Sequence, residues 1–396
     1  MALVALYGLL MRYKIAFDFP FFEQKNLLHA HSHFAFSGWI SHLLYCGLFI
    51  AVKDQINAIK HRNYILLINA NLLIAFGMLI FFTKQGYGNI SIVFSTLSIM
   101  IAVVYAWIFI RDTQALSAVR QARMWAATGL LLNIVSAAGP LSLGYMMATR
   151  NIQQDIYLAS VYYYLHFQYN GWFFFGAMAL VINCLPKLDV SFKRYFRWFL
   201  ITVFPTFLLS VLWIKLPMWL YMIAVFAAVA QLIAWLVMLM KIRSAFKEKC
   251  TNVHQTIVLL FYISAIAITI KFVLQAISVI PQLSQFVFGI RSIVIAYLHL
   301  VLLGGFSLFF IGYMLASKWI HLSNRAKITL FLFVAGVMAN EILLGVQGFA
   351  SFFLLLVPYI NESLFGAAIL LFLGAGGMFF SQVNRKVANV DRKQGW

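Results

Sequence analysis

Runs of about 17 to 28 apolar residues alternate with short polar breaks from the first residue to about residue 381. Each run is long enough to cross a bilayer as a helix. The pattern predicts roughly twelve helices, beginning near residues 1, 26, 63, 88, 123, 158, 197, 217, 254, 291, 328 and 363. The first run, Met1 to Phe17, has neither a basic leader nor a small-residue cleavage site, so it is read as a retained helix and not a removed signal. Pro205 is expected to kink the seventh helix, whereas Pro20, Pro186 and Pro281 stand at the ends of runs, where proline costs little. The aromatic stretch from Phe349 to Ile360 reads either as an outer interfacial segment or as part of the eleventh helix. No soluble repeat or low-complexity tract breaks the pattern.

Composition agrees with periodicity. Of 396 residues, 64% are hydrophobic and 10% charged, with a mean hydropathy of +0.91, far from the balance of a soluble domain. The expected fold is therefore an all-α polytopic membrane bundle of about twelve transmembrane helices, with residues 1–396 forming one transmembrane domain.

A formal charge of +19 would point to nucleic acid in a soluble protein, but here its position decides its meaning. Twenty-one of the 29 Lys and Arg fall in six alternate segments: Lys53–Arg62, Arg111–Arg123, Lys187–Arg197, Lys241–Lys249, Lys318–Lys327 and Arg385–Lys393. The positive-inside rule makes those segments cytoplasmic, and with them both termini. No nucleic-acid partner is then needed; the lipid bilayer is the expected partner. Cys46, Cys184 and Cys250 form neither a CxxC pair nor a CxxCH, which argues against covalent haem attachment and a zinc cluster, and they read as core thiols.

The candidate chemistry lies in histidines. His29, His31 and His33 fall within five residues at the head of the second helix, where an ionisable group normally survives by facing the protein interior. At about 100° per residue, His29 and His33 share one face, whereas His31 and the later His42 share another. The sixth helix carries His166, followed by Gln168, Tyr169, Asn170 and Trp172, and the tenth carries Tyr297 and His299. All three helices run inward, so their histidines lie at a similar depth in the outer third of the membrane. A cofactor gripped between helices would require that coincidence; hydrogen bonding between helices is the plainer alternative for His31, His33 and His42 taken singly, with His29 set apart. His61, His254 and His321 sit in or beside basic cytoplasmic segments and are left out of the site. Lys271 and Glu341 fall near mid-membrane and are expected to form an ion pair, with a proton relay as the alternative. Arg291, Arg150, Lys84 and Lys25 lie at the outer surface, as anchors or as counter-charges for an anionic cofactor.

Three motifs resemble those of catalytic subunit I of haem-copper oxidases and nitric oxide reductases. Leu27-Leu28-His29 through Phe34-Ala35-Phe36-Ser37-Gly38 resembles the second-helix motif of the low-spin haem. His166-Phe167-Gln168-Tyr169-Asn170-Gly171-Trp172-Phe173-Phe174, running on to Cys184-Leu185-Pro186-Lys187, is similar to the sixth helix of the C-type oxidases and reductases. His299 with Gly304-Gly305 resembles the second histidine of the tenth-helix His-x-His motif. The resemblance implies a twelve-helix fold with cytoplasmic termini and a low-spin haem b whose axial ligands are His29 and His299. It places the propionates towards basic outer residues such as Arg291, and lets Gly304 and Gly305 admit the haem edge or the second helix, with Gly38 offering the same on the second helix.

The departures from that pattern carry equal weight. Tyr297 stands where the family has its high-spin haem ligand; it is read as a packing residue, with tyrosinate ligation as the alternative. The seventh helix has no histidine, so His166 is what remains of the copper ligands, and no copper is expected from one imidazole. The first reading is a bacterial inner-membrane haemoprotein used in electron transfer or in gas or redox sensing. A quinol, a cytochrome c or partner subunits would supply its electrons. The second is an active oxygen or nitric oxide reductase with His166, His31 or His33 as unorthodox ligands. The third is a cofactor-free transporter whose histidines line a substrate or proton path.

Overall fold

Apolar runs fold as helix and polar breaks become turns, except that the run expected from residue 197 lies in a helix already begun at Asp189 that closes at Thr202. The computed structural model describes residues 1–117, 119–185, 189–249, 253–280, 283 and 290–393, and for 189–191, 249 and 384–393 it describes the backbone alone. Pro186, Lys187, Cys250 and Pro281 lie outside the described residues. The helices are α1 (Ala2–Ala16), α2 (Gln24–Gln55), α3 (Ala58–Gln85), α4 (Asn89–Thr113), α5 (Arg120–Thr149), α6 (154–184), α7 (Asp189–Thr202), α8 (Met218–Lys249), α9 (Gln255–Ile277), α10 (Arg291–Ala316), α11 (Asn324–Phe352) and α12 (Ile360–Lys393). Among the described residues there is no strand.

Nine of these helices, α2 to α5 and α8 to α12, are long and apolar enough to cross a membrane. The other three differ for local reasons. α1 has 15 residues; α6 carries Gln168, Tyr169 and Asn170 at its centre; and α7 stops before Pro205, beyond which Pro205–Val211 continues as 3₁₀-helix. The aromatic stretch after Phe349 divides, its first residues closing α11 and the rest turning towards α12.

The apolar surface confirms which solvent these helices are built for. Val93, Leu97, Met100, Val104 and Trp107 of α4 recur every three or four residues and are all exposed, as are Met222, Phe226, Val229, Ile233, Leu236 and Met240 of α8. Such stripes would be aggregation-prone in water and are matched to hydrocarbon. The main core lies inward of them, where α2, α4, α5, α6 and α10 contribute Tyr45, Tyr105, Trp125, Trp172, Phe173 and Phe306.

Three helices change winding in the interior. After His33, α2 loosens into a π-helix over Phe34–Ser41 and resumes α-helix at His42; α6 does the same over Phe167–Phe173 after His166, and α10 over Leu300–Ser307 after His299. Those histidines stand 133 residues apart, and a glycine follows each by five residues: Gly38, Gly171 and Gly304. The chain therefore carries a threefold internal period that its loops and composition conceal. The π turns meet one another. Trp39 Nε1 donates to Ser307 Oγ (3.0 Å), Trp172 Nε1 donates to Ser41 Oγ (2.9 Å), and the Phe173 ring lies 5.3 Å from Phe36 and 5.7 Å from Phe306. π turns are uncommon and concentrate at functional sites.

Candidate functional site

The three histidines of α2 part company as its helical wheel dictates. His29 and His33 face α3 and the turn after it. The His33 ring stacks on Phe82 (4.2 Å, 7°), with Nε2 3.5 Å from the Tyr87 hydroxyl, and the His29 ring lies edge-on to Tyr87 (4.5 Å). His29 Nε2 is buried without a hydrogen-bond partner. His31 points the other way, to α1: its Nδ1 is 3.1 Å from the Val4 carbonyl, and a Cβ on Gly8 would lie 3.6 Å from its ring.

His299 is held by its own helix. Its Nδ1 is 2.9 Å from the Ile295 carbonyl. His29 and His33 lie with Phe82 and Tyr87, whereas His31 lies against α1. A carbonyl can only accept, so Nδ1 carries the proton in both His31 and His299, and each Nε2 keeps a lone pair. Neither Nε2 makes a hydrogen bond among the described residues. A backbone acceptor on Nδ1 fixes the tautomer of each ring and raises the basicity of its other nitrogen. Neither α1 nor the first segment of α10, Arg291–His299, has a fully buried residue.

The glycines serve different neighbours from those expected. A Cβ on Gly305 would meet Ile268 of α9 at 2.6 Å, one on Gly304 would touch Ala267 of the same helix, and one on Gly38 would meet Ala75 of α3 at 3.1 Å. For Gly304 and Gly305 the packed neighbour is α9 and not α2. Tyr297 packs edge-on against Tyr169 (5.9 Å, 72°). Arg291, Arg150, Lys84 and Lys25 are exposed.

On α6 the polar residues form a directed chain. Lys271, only 3% exposed, donates to Asn170 Oδ1 and lies 3.7 Å from the centre of the Phe272 ring. Asn170 Nδ2 donates to His166 Nδ1 (3.1 Å), and His166 Nε2 donates to the Val203 carbonyl (2.8 Å). Both nitrogens of His166 are used, so its ring offers no lone pair to a metal. The expected Lys271–Glu341 pair does not form: the carboxylate of Glu341 accepts from Asn340 instead (3.1 Å). A buried ammonium needs only a well-placed acceptor and an aromatic face, and α6 supplies the first where α9 supplies the second.

Among the described residues no group of three or more His, Cys, Asp or Glu is placed to hold a metal ion. Of the remaining histidines, His61 bonds the Lys53 carbonyl, His254 caps α9 by accepting from Thr256 N, and Gln382 bonds both backbone groups of His321. Cys46 is half-buried, but Cys184 is exposed at the end of α6 and not a core thiol. Val4 and Gly8 carry no motif, and their only sequence signal was spacing by four along α1. No protein-family model matches the chain, and no curated protein is significantly similar to it.

Proposed function

We propose that the chain is a twelve-helix membrane haemoprotein built like catalytic subunit I of the haem-copper oxidases and nitric oxide reductases, with both termini in the cytoplasm of a bacterium. In this reading one low-spin haem b stands between α2 and α10 and serves electron transfer or redox sensing. The observation that carries the reading is that His31 and His299, on different helices, each bind a backbone carbonyl through Nδ1 and leave Nε2 without a hydrogen bond among the described residues. His31 is the α2 residue that fits best, because the ring of His29 faces Tyr87. A haem between two such imidazoles supplies a one-electron couple with no open coordination position.

The chain's own residues set the remaining conditions. Val4 and Ile295 hold the rings in one tautomer. His166 is saturated by Asn170 and Val203, which speaks against a copper centre and against an oxygen- or nitric-oxide-reducing reaction there. Spectra of single variants purified from the native membrane test this. His31→Ala and His299→Ala are expected to lose the low-spin haem spectrum, while His29→Ala and His61→Ala keep it. A spectrum unchanged in both of the first pair would overturn the assignment, and loss in His29→Ala alone would return the α2 ligand to His29.

A further inference from the structure

We infer that the turn between α11 and α12 folds back into the bilayer, and that the groove it makes with α11 binds the acyl chain of a phospholipid in the leaflet remote from Lys318–Lys327. The inference rests on the membrane-spanning helices alone and is independent of any haem. α11 starts among the basic residues Arg325 and Lys327 and has 29 residues, about 43 Å of helix against a hydrocarbon core of about 30 Å. Its far end therefore reaches the opposite interface. A turn that left this interface for water would be polar, but no charged residue lies between Glu341 and Glu362, and the turn reads Phe353-Leu354-Leu355-Leu356-Val357-Pro358-Tyr359. The chain comes back instead. Leu355, Val357 and Pro358 lie beside Gly345, Val346 and Phe349 of α11 and enclose with them a groove of about 540 Å³. Gly345 stands two turns before Phe352, about 10 Å back along the helix and so inside the hydrocarbon.

The backbone supplies a second, independent sign. The reversal is closed by Leu355 N donating to the Ala350 carbonyl (2.8 Å) and Leu354 N to that of Ser351 (3.3 Å), with Leu354 in the left-handed region at φ 56°. Glycine is the usual residue at that point of a helix end, because any side chain there adds a steric cost. Leu354 is nonetheless 92% exposed and Leu356 98%, so their side chains gain almost nothing from packing within the protein. Hydrocarbon around them supplies the missing gain. Tyr359 repeats the device at φ 57°, exposed, with an aromatic ring and a hydroxyl suited to the boundary between chains and headgroups. The groove itself has no polar side chain in its walls, and its floor is open, since a Cβ on Gly345 would meet nothing within 4 Å. At that depth the available apolar ligand is a lipid chain lying along α11.

Two measurements on the full-length protein test this. In the first, a bimane fluorophore is attached to Leu356→Cys in protein freed of its other cysteines and placed in nanodiscs of phosphatidylcholine. The same lipid brominated in its acyl chains is expected to remove most of the emission, whereas aqueous iodide leaves it unchanged; Asp54→Cys, in an exposed turn, should show the reverse. Quenching by iodide would overturn the inference, because the turn would then stand in water. Quenching by neither agent would also overturn it and would mark a second copy of the chain on this face. In the second, phosphatidylcholine is added back to delipidated protein in detergent and thermal unfolding is followed. The wild type is expected to gain stability, and Gly345→Phe, which fills the open floor, to gain clearly less. An equal gain in the two would remove the acyl chain from the groove and overturn that assignment.

Discussion

His166 and His299 are the same kind of residue in opposite states. His299 bonds through one nitrogen and keeps the other, whereas His166 is closed on both sides by Asn170 and Val203. The difference originates in Lys271, whose ammonium takes the amide oxygen of Asn170 and so turns its NH₂ towards the imidazole. Replacing Asn170 by Leu would leave a buried ammonium and a ring nitrogen unpaired together, at a cost of roughly 3–5 kcal/mol. Asn170→Leu is therefore expected to lower thermal stability in detergent sharply, and adding Lys271→Met should recover part of the loss because the unpaired charge goes with it. Strictly additive losses would show that the two are not one unit. The residue types at this site were legible in the sequence, but their pairings were not. Glu341 offered the obvious counter-charge to Lys271, and nothing in the one-dimensional pattern says that α11 presents that carboxylate to Asn340 instead.

At the scale of elements, the starts of the helices were legible because bilayer-length apolar runs leave little freedom: α9 begins at Gln255 and α10 at Arg291, beside the expected 254 and 291. The π turns were not read, although His33, His166 and His299 with glycine five residues on announce them three times. Close packing of the helices rests on glycines whose roles the structure separates. A Cβ on Gly374 of α12 would lie 2.5 Å from the backbone nitrogen of Phe333 in α11, while one on Gly376 would meet nothing within 4 Å. Gly374→Ala is accordingly expected to cost roughly 1–3 kcal/mol by forcing two backbones apart. Gly376→Ala should be neutral, or stabilising by about 0.5–1 kcal/mol through helix propensity. Thermal unfolding of the two variants checks this; equal effects would contradict the α11–α12 contact.

For the whole molecule, the class of protein was the most legible property: composition and period pointed to a polytopic helical bundle, and the described residues include nine helices long and apolar enough to cross a membrane, with exposed stripes on α4 and α8. The charge pattern adds a direction. With 21 of 29 basic residues in alternate breaks, the loops near residues 57, 117, 190, 245 and 322 are expected to face the cytoplasm together with both termini. Single cysteines placed there should resist membrane-impermeant reagents in intact cells, and labelling of any one of them would refute the orientation. That His31 lies against α1 was beyond the sequence, because the docking of α1 on α2 is not written in the pattern of either helix. The central claim, that this bundle exists to hold one haem between α2 and α10, is tested most directly by the haem content of the protein purified from its native membrane. One non-covalent haem b per polypeptide, low-spin in both oxidation states, is the predicted result. A correctly folded protein with no Soret absorption and no extractable haem would contradict it.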